Sequence, residues 1–200
     1  LGALLARSRY LFIKHHRARF GERVLAELRG VMDEAGHAPF WDGLAGRFFG
    51  MTFPEADEFN AVHGTQFIAD LFPKSPIYVA MLPESAKAVI GQPHPTGRAA
   101  LKMLENEGFI WDSYVDIFDG GPTVTARTDS IRTIKKSLTV TVADHEPEHG
   151  ASMLVAHGRL KDFVACYGTV EVDGEEAAVS ADARRLLGVK PGDQILAVAR

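Results

Sequence analysis

Histidines carry most of the chemistry available to this chain, and their settings differ. His94 stands in the run VIGQPHP (residues 89–95), with a proline on each side. Each proline biases the residue before it toward extended backbone, so Gln92 and His94 are both expected extended. The next stretch, TGRAALKMLENEGF, has helical spacing at Ala99, Met103 and Leu104. That predicts a helix beginning near Pro95, with His94 at or beside its N-cap. A neutral imidazole near pH 7 can accept a proton and give it back. From the residues alone two roles stay open: a general acid or base, and a cap in a proline-rich loop.

The other histidines offer less. HEPEH at 145–149 formally matches the zinc-protease pattern H-E-x-x-H, which needs both histidines on one helix face. Pro147 at its centre would break that helix, so the run is expected to be an exposed, metal-free linker. His15 and His16 are adjacent and do not share a helix face. His63 and His157 are isolated. Cys166 is the single cysteine, so neither a disulfide framework nor a cysteine zinc cluster is possible, and a buried structural thiol is expected. No phosphate-binding or dinucleotide-binding glycine motif occurs, and no resident cofactor is expected.

Composition narrows the class further. The 200 residues are 46% hydrophobic, and 22 Lys plus Arg stand against 26 Asp plus Glu. A mildly acidic chain is not a general nucleic-acid binder. Residues 1–23 are locally basic (Arg7, Arg9, Lys14, Arg17, Arg19 and Arg23 against Glu22), a pattern read as a solvated helix face. No apolar run approaches the roughly 20 residues of a membrane span, and no secretory signal is visible. A cytoplasmic protein is expected.

Several elements must position His94. Residues 3–20 read as a helix, with Leu4, Leu5, Leu11 and Phe12 on one face. RVLAELRGV (23–31) reads as a strand, and Phe40, Trp41, Leu44 and Phe48 have helical spacing. FPEADEFNAV and TQFIADLF read as short helices, PIYVAML (76–82) as a strand, and Pro83–Val89 as a helix. Gly108 sits where a helix C-terminal glycine belongs. SYVDIF and TVTAR read as strands joined across Asp119-Gly120-Gly121-Pro122. From Leu138 the texture changes to short alternating segments separated by Gly and Asp, with one helical piece, ADARRLLGV. This predicts a small barrel-like β domain over 138–200, following an α/β region over 1–137, an α+β chain overall.

AALKMLENEGF followed by a strand resembles the closing helix and strand of GNAT-type acyl-CoA N-acyltransferases. With ELRGVMDEAGHAPFWDGLAGRFFGMTFPEADEF, FIADLFPKSPIYV, VIGQPHPTGRAALKMLENEGF and YVDIFDGGPTVTAR, the chain resembles the arginine N-succinyltransferase family over essentially its whole length. The resemblance is strongest through residue 137. It implies a GNAT-like domain over 1–137 whose N-terminal half is missing, since family members are longer at that end. The chain also opens LGALLARSRYLF, without a methionine and in mid-pattern, as expected of the later part of a longer polypeptide.

The resemblance carries residue roles with it. The family's G-Q-x-H-P motif, with its proton-donating histidine, falls on His94. Gly2 matches the last glycine of the loop that binds the CoA pyrophosphate at a helix N-terminus. The implied co-substrates are succinyl-CoA and L-arginine, with succinyl passing to the α-amine. The guanidinium should require carboxylates, because its fork matches a carboxylate in bidentate fashion. Glu27, Asp116 and Asp119 are the candidates, by their placement at strand ends. Val24–Leu28 is expected to line an open side of the sheet, covered by the N-terminal half of the same protein. A homo- or hetero-oligomer with a similar subunit is implied. The rival expectations are a noncatalytic structural or regulatory subunit of a heteromeric arginine/ornithine succinyltransferase, and a β domain that is a separate binding module.

Overall fold

A computed structural model describes residues 2–200. The helices are α1 (Gly2–His15), α2 (Pro39–Gly43), α3 (Ala45–Phe49), α4 (Phe53–His63) and α5 (Gln66–Leu71). They continue with α6 (Glu84–Lys87), α7 (Arg98–Glu107), α8 (Arg132–Lys136) and α9 (Ala181–Leu187). The strands are β1 (Arg23–Glu27), β2 (Ile110–Val115), β3 (Pro122–Arg127), β4 (Leu138–Val142), β5 (Ala151–His157), β6 (Val164–Asp173), β7 (Glu176–Val179) and β8 (Gln194–Ala199). Two units pack internally, one of Leu1–Val24 with Ala126–Arg200 and the other of Leu25–Thr125.

In the first unit β4, β7, β6, β5 and β8 close into a barrel, as the alternation and its Gly/Asp punctuation predicted. Val140, Val142, Val155, Val170, Val179 and Ile195 fill it, and α9 adds Ala183 and Leu187. α1 seals the outside by burying Leu11 against Leu154, Ala156, Leu196 and Val198. The helix is shorter than the expected 3–20. His16 leaves helical geometry (φ −116°, ψ 31°), and a 3-10 turn at Arg17–Arg19 follows. The reason is tertiary: the buried His16 ring packs 4.5 Å from that of Phe12, and its Nε2 accepts the Leu160 N–H at 3.2 Å.

The second unit is built on Trp41, which is fully buried. Its ring stacks on Phe118 at 5.3 Å and on Phe49 at 5.5 Å, and Nε1 donates to the Met51 carbonyl at 2.9 Å. Thr52 and Glu55 form a capping box that starts α4. The three-stranded sheet runs β1-β3-β2, which places β1 at an edge with Leu25 exposed. The expected strand at 76–82 does not form. Tyr78 and Val79 give their carbonyls to Met81 and Leu82 N–H groups, making a 3-10 turn at Val79–Met81. Apolar, strand-prone residues need a ladder partner to become a strand, and here those backbone groups close locally. Among the described residues no helix is long and apolar enough to cross a membrane.

Candidate active site

Three chain segments converge around His94, all within the Leu25–Thr125 unit. The first is the extension of β1, where Leu28 N–H donates to Pro122 O at 3.1 Å and Gly30 bridges Pro93. The second is the 91–97 loop, where Gly91 N–H donates to Gly120 O at 2.8 Å and His94 N–H to Arg29 O at 2.7 Å. The third is the 116–121 turn before β3, where Asp116 N–H donates to Gly121 O at 2.9 Å. Backbone is stitched to backbone, so the segments must approach closely. A Cβ on Gly30 would collide with the Asp119 carbonyl, and one on Gly121 with the Leu28 carbonyl. Gly91 has φ +70°, and a side chain there would also run into the Trp111 ring.

The three segments fix the backbone of the loop, and the loop's own Thr96 fixes the imidazole. His94 is extended (φ −49°, ψ 143°) and caps a 3-10 turn at Pro95–Gly97, which runs into α7. Its Nδ1 accepts the Thr96 N–H at 3.3 Å and lies 2.8 Å from the Thr96 hydroxyl. The Thr96 N–H can only donate, so Nδ1 is the accepting nitrogen, the hydroxyl can donate to it as well, and in the neutral ring the proton is on Nε2. Nε2 has no protein partner among the described residues and is the nitrogen left for chemistry. The cap and the acid–base role, alternatives in the sequence, are compatible because each uses a different ring nitrogen.

The three candidate carboxylates fare differently. Glu27 ends β1 exposed, its carboxylate without a hydrogen-bond partner among the described residues. Asp116 is half-buried and uses Oδ1 to accept Phe118 N–H at 2.7 Å and Asp119 N–H at 3.3 Å, leaving Oδ2 open. Asp119 is buried, with Oδ2 on Gly30 N–H at 2.7 Å and Oδ1 on Gly121 N–H at 2.8 Å. Each of its oxygens accepts a backbone N–H, so Asp119 holds Gly30 and Gly121 together.

A cavity of about 400 Å³ opens between α7 and the β2–β3 hairpin, lined by Gly91, Glu105, Phe109, Trp111 and Val124 among others. Gly91 connects it to the His94 loop three residues away. The sequence did not single out Thr96 or the Asp119 clamp. A hydroxyl two residues after a histidine in a turn is a signal for the first, whereas the second joins residues 89 positions apart.

The remaining predicted residues lie elsewhere. Gly2 is the exposed first residue of α1. HEPEH is non-helical and exposed at His145 and His149, where Glu171 accepts the Glu148 and His149 backbone N–H groups. Among the described residues no group of three or more His, Cys, Asp or Glu is placed to hold a metal. Cys166 is buried in the barrel wall, and burial raises its thiol pKa.

The comparisons with known proteins agree with one another. The family model described as "Arginine N-succinyltransferase beta subunit" matches residues 1–133, and its C-terminal-domain model matches 136–199. An arginine N-succinyltransferase from an Enterobacter species is 43% identical over 97% of this chain, and one from Citrobacter koseri is 41% identical over the same share. The chain spans 57% of the length of each of those relatives. The solved structure of arginine/ornithine succinyltransferase subunit AI from Pseudomonas aeruginosa superposes with a TM-score of 0.83 at 38% identity. That match covers 98% of this chain and 56% of the other. The chain belongs to the arginine N-succinyltransferase beta-subunit family.

Proposed function

We propose that this chain supplies the acid–base part of an arginine N-succinyltransferase acting in the cytoplasm. The α-amine of L-arginine, having lost a proton, attacks the thioester carbon of succinyl-CoA. The C–S bond breaks and an amide forms; the departing thiolate takes a proton from His94 to leave as CoA, and the proton that the attacking nitrogen sheds on becoming an amide is returned to the imidazole through solvent. The observation that carries this reading is the imidazole held through Nδ1 by Thr96 with Nε2 unclaimed. A thiolate is a stronger base than an imidazole, so proton transfer from the imidazolium to the departing sulfur is favourable. No covalent enzyme intermediate is needed, and the buried Cys166 has no part in the reaction.

Glu27 and the free oxygen of Asp116 are the groups proposed to receive the guanidinium, while Asp119 holds the loops that carry His94. Because the chain spans little more than half of its relatives, the CoA cleft is assigned to a larger assembly. In that reading the domain is GNAT-like, and the preceding segment of the same protein pairs along β1. Gly2 then lies at the end of the pyrophosphate loop, where the α1 N–H groups favour phosphate. The name of the structural neighbour, a subunit, supports a homo- or hetero-oligomer and keeps a noncatalytic subunit role as the second reading.

The test combines the chain with a segment equivalent to the relatives' preceding portion and measures arginine-dependent release of CoA from succinyl-CoA. Activity that appears on mixing and disappears in His94→Ala supports catalysis by this chain. Activity that is indifferent to His94→Ala supports the noncatalytic reading.

A further inference from the structure

Beside the barrel, within the unit that holds both termini, lies a second cavity of about 320 Å³ with no place in the proposed reaction. Its rim carries His15, His157 and Arg159, and its walls include Ala156, Phe163 and Leu196. The rim is polar on one side, with the fixed positive charge of Arg159, and the wall is apolar on the other. Arg159 is exposed, and its guanidinium has no ion-pair partner among the described residues.

The rim is constructed rather than incidental. His157 Nδ1 lies 2.9 Å from the Gln194 carbonyl, which can only accept, so Nδ1 carries the proton and the ring is held in place at the rim, its Nε2 a donor only when the ring is protonated. The turn bearing Arg159 begins at Gly158 (φ +83°) and includes Leu160 at φ +50°. A leucine in the left-handed region is uncommon and costs energy. His16 holds it there, its Nε2 accepting the Leu160 N–H. Thus the unusual backbone that presents Arg159 is secured by one histidine while its neighbour His15 lines the cavity. Burial first, and then the nearby His16, Arg159 and His157, lower the His15 pKa, so His15 meets the cavity as a neutral ring and the fixed positive charge of the rim is that of Arg159.

The end of α1 sharpens the point. Helix C-termini are electronegative, so attraction for an anion must come from these side chains. The cavity also lies at the opposite end of the 14-residue α1 from Gly2, roughly 20 Å away at 1.5 Å per residue. It is therefore separate from the proposed pyrophosphate contact.

We propose that this cavity is a binding site for a small organic carboxylate, its anionic head on the Arg159 guanidinium, beside the His157 and His15 rings, and its aliphatic body against Phe163 and Leu196. A bidentate guanidinium–carboxylate pair accounts for the head, and the apolar wall accounts for a preference over inorganic anions. The proposal is independent of acyl transfer at His94.

Calorimetric titration of the intact chain at fixed ionic strength tests it, using butyrate, its neutral counterpart butyramide, and inorganic phosphate as probes. The expected result is one butyrate per chain with a dissociation constant on the order of 1 mM or tighter, and at least about tenfold weaker binding of butyramide and phosphate. Arg159→Gln should weaken butyrate by about tenfold or more, whereas Lys161→Gln on the same exposed turn should leave it unchanged. An unaltered thermal transition in Arg159→Gln shows that the fold is intact. Absence of saturable butyrate binding, equal binding of butyramide or phosphate, or equal weakening by Lys161→Gln would each overturn the proposal.

Discussion

Asp119 grips Gly30 across 89 positions of sequence, accepting its backbone N–H at 2.7 Å from a buried carboxylate. The other oxygen accepts Gly121 N–H at 2.8 Å. One residue before Gly30, Arg29 gives its carbonyl to the His94 N–H at 2.7 Å. Asp119 therefore ties β1 to the turn before β3, and the tied segment sets the height of the histidine loop. The energetic logic is that of a buried anion, tolerable only while hydrogen bonds replace its hydration.

Asp119→Asn keeps the shape but turns an acceptor into an NH₂ group that cannot receive a backbone N–H. Leaving a buried donor unsatisfied costs about 1–3 kcal/mol, measurable as a lower urea midpoint. In the active assembly kcat should fall by about tenfold to a hundredfold, because small misplacements of a catalytic group are expensive. The KM for arginine should move little. A variant with a raised arginine KM and normal kcat would instead return Asp119 to guanidinium recognition.

Arg17 makes a two-point contact with Asp129, its Nε to Oδ1 at 2.6 Å and Nη2 to Oδ2 at 2.9 Å. That hydrogen bonding holds the Asp129 carboxyl below its ordinary pKa. A depressed carboxyl pKa adds stability above the unfolded value, about 3.9, which is lost as pH falls through the lower folded value. Thermal unfolding of the parent and of Asp129→Asn should therefore differ near neutrality, with the difference starting to shrink near about pH 4 and vanishing only below the lower folded value. A difference that persists unchanged into acid would show that the pair contributes through packing or local structure rather than through charge.

Most of the barrel was legible in the sequence, and the reason is physical. LTVTV, SMLVAH and QILAVA alternate or run apolar between Gly and Asp breaks, and β4, β5 and β8 fall on them. The His94 loop was legible too, since two prolines fix its backbone and Gly108 ends α7 in the left-handed region at φ +97°. Where the reading missed, long-range contacts had decided. The end of α1 is set by His16 meeting Leu160, and no local pattern encodes that. PIYVAML has strand composition but no ladder partner. The acid Asp119 was noticed for its place at a strand end, yet its partner Gly30 belongs to a distant segment. A carboxylate that binds substrate and one that clamps backbone look alike until their neighbours are known.

The central claim, that His94 protonates the departing thiolate, is tested most directly by the turnover of His94→Gln in the complete, active assembly. Arginine-dependent CoA release should be followed across about pH 6–9, with the parent enzyme measured in parallel. Loss of a positioned acid–base group typically costs 10²–10⁴-fold, so kcat is predicted to fall by about that factor with the KM for arginine little changed. Turnover retained in full across that range would contradict the account and leave His94 as the cap of its turn.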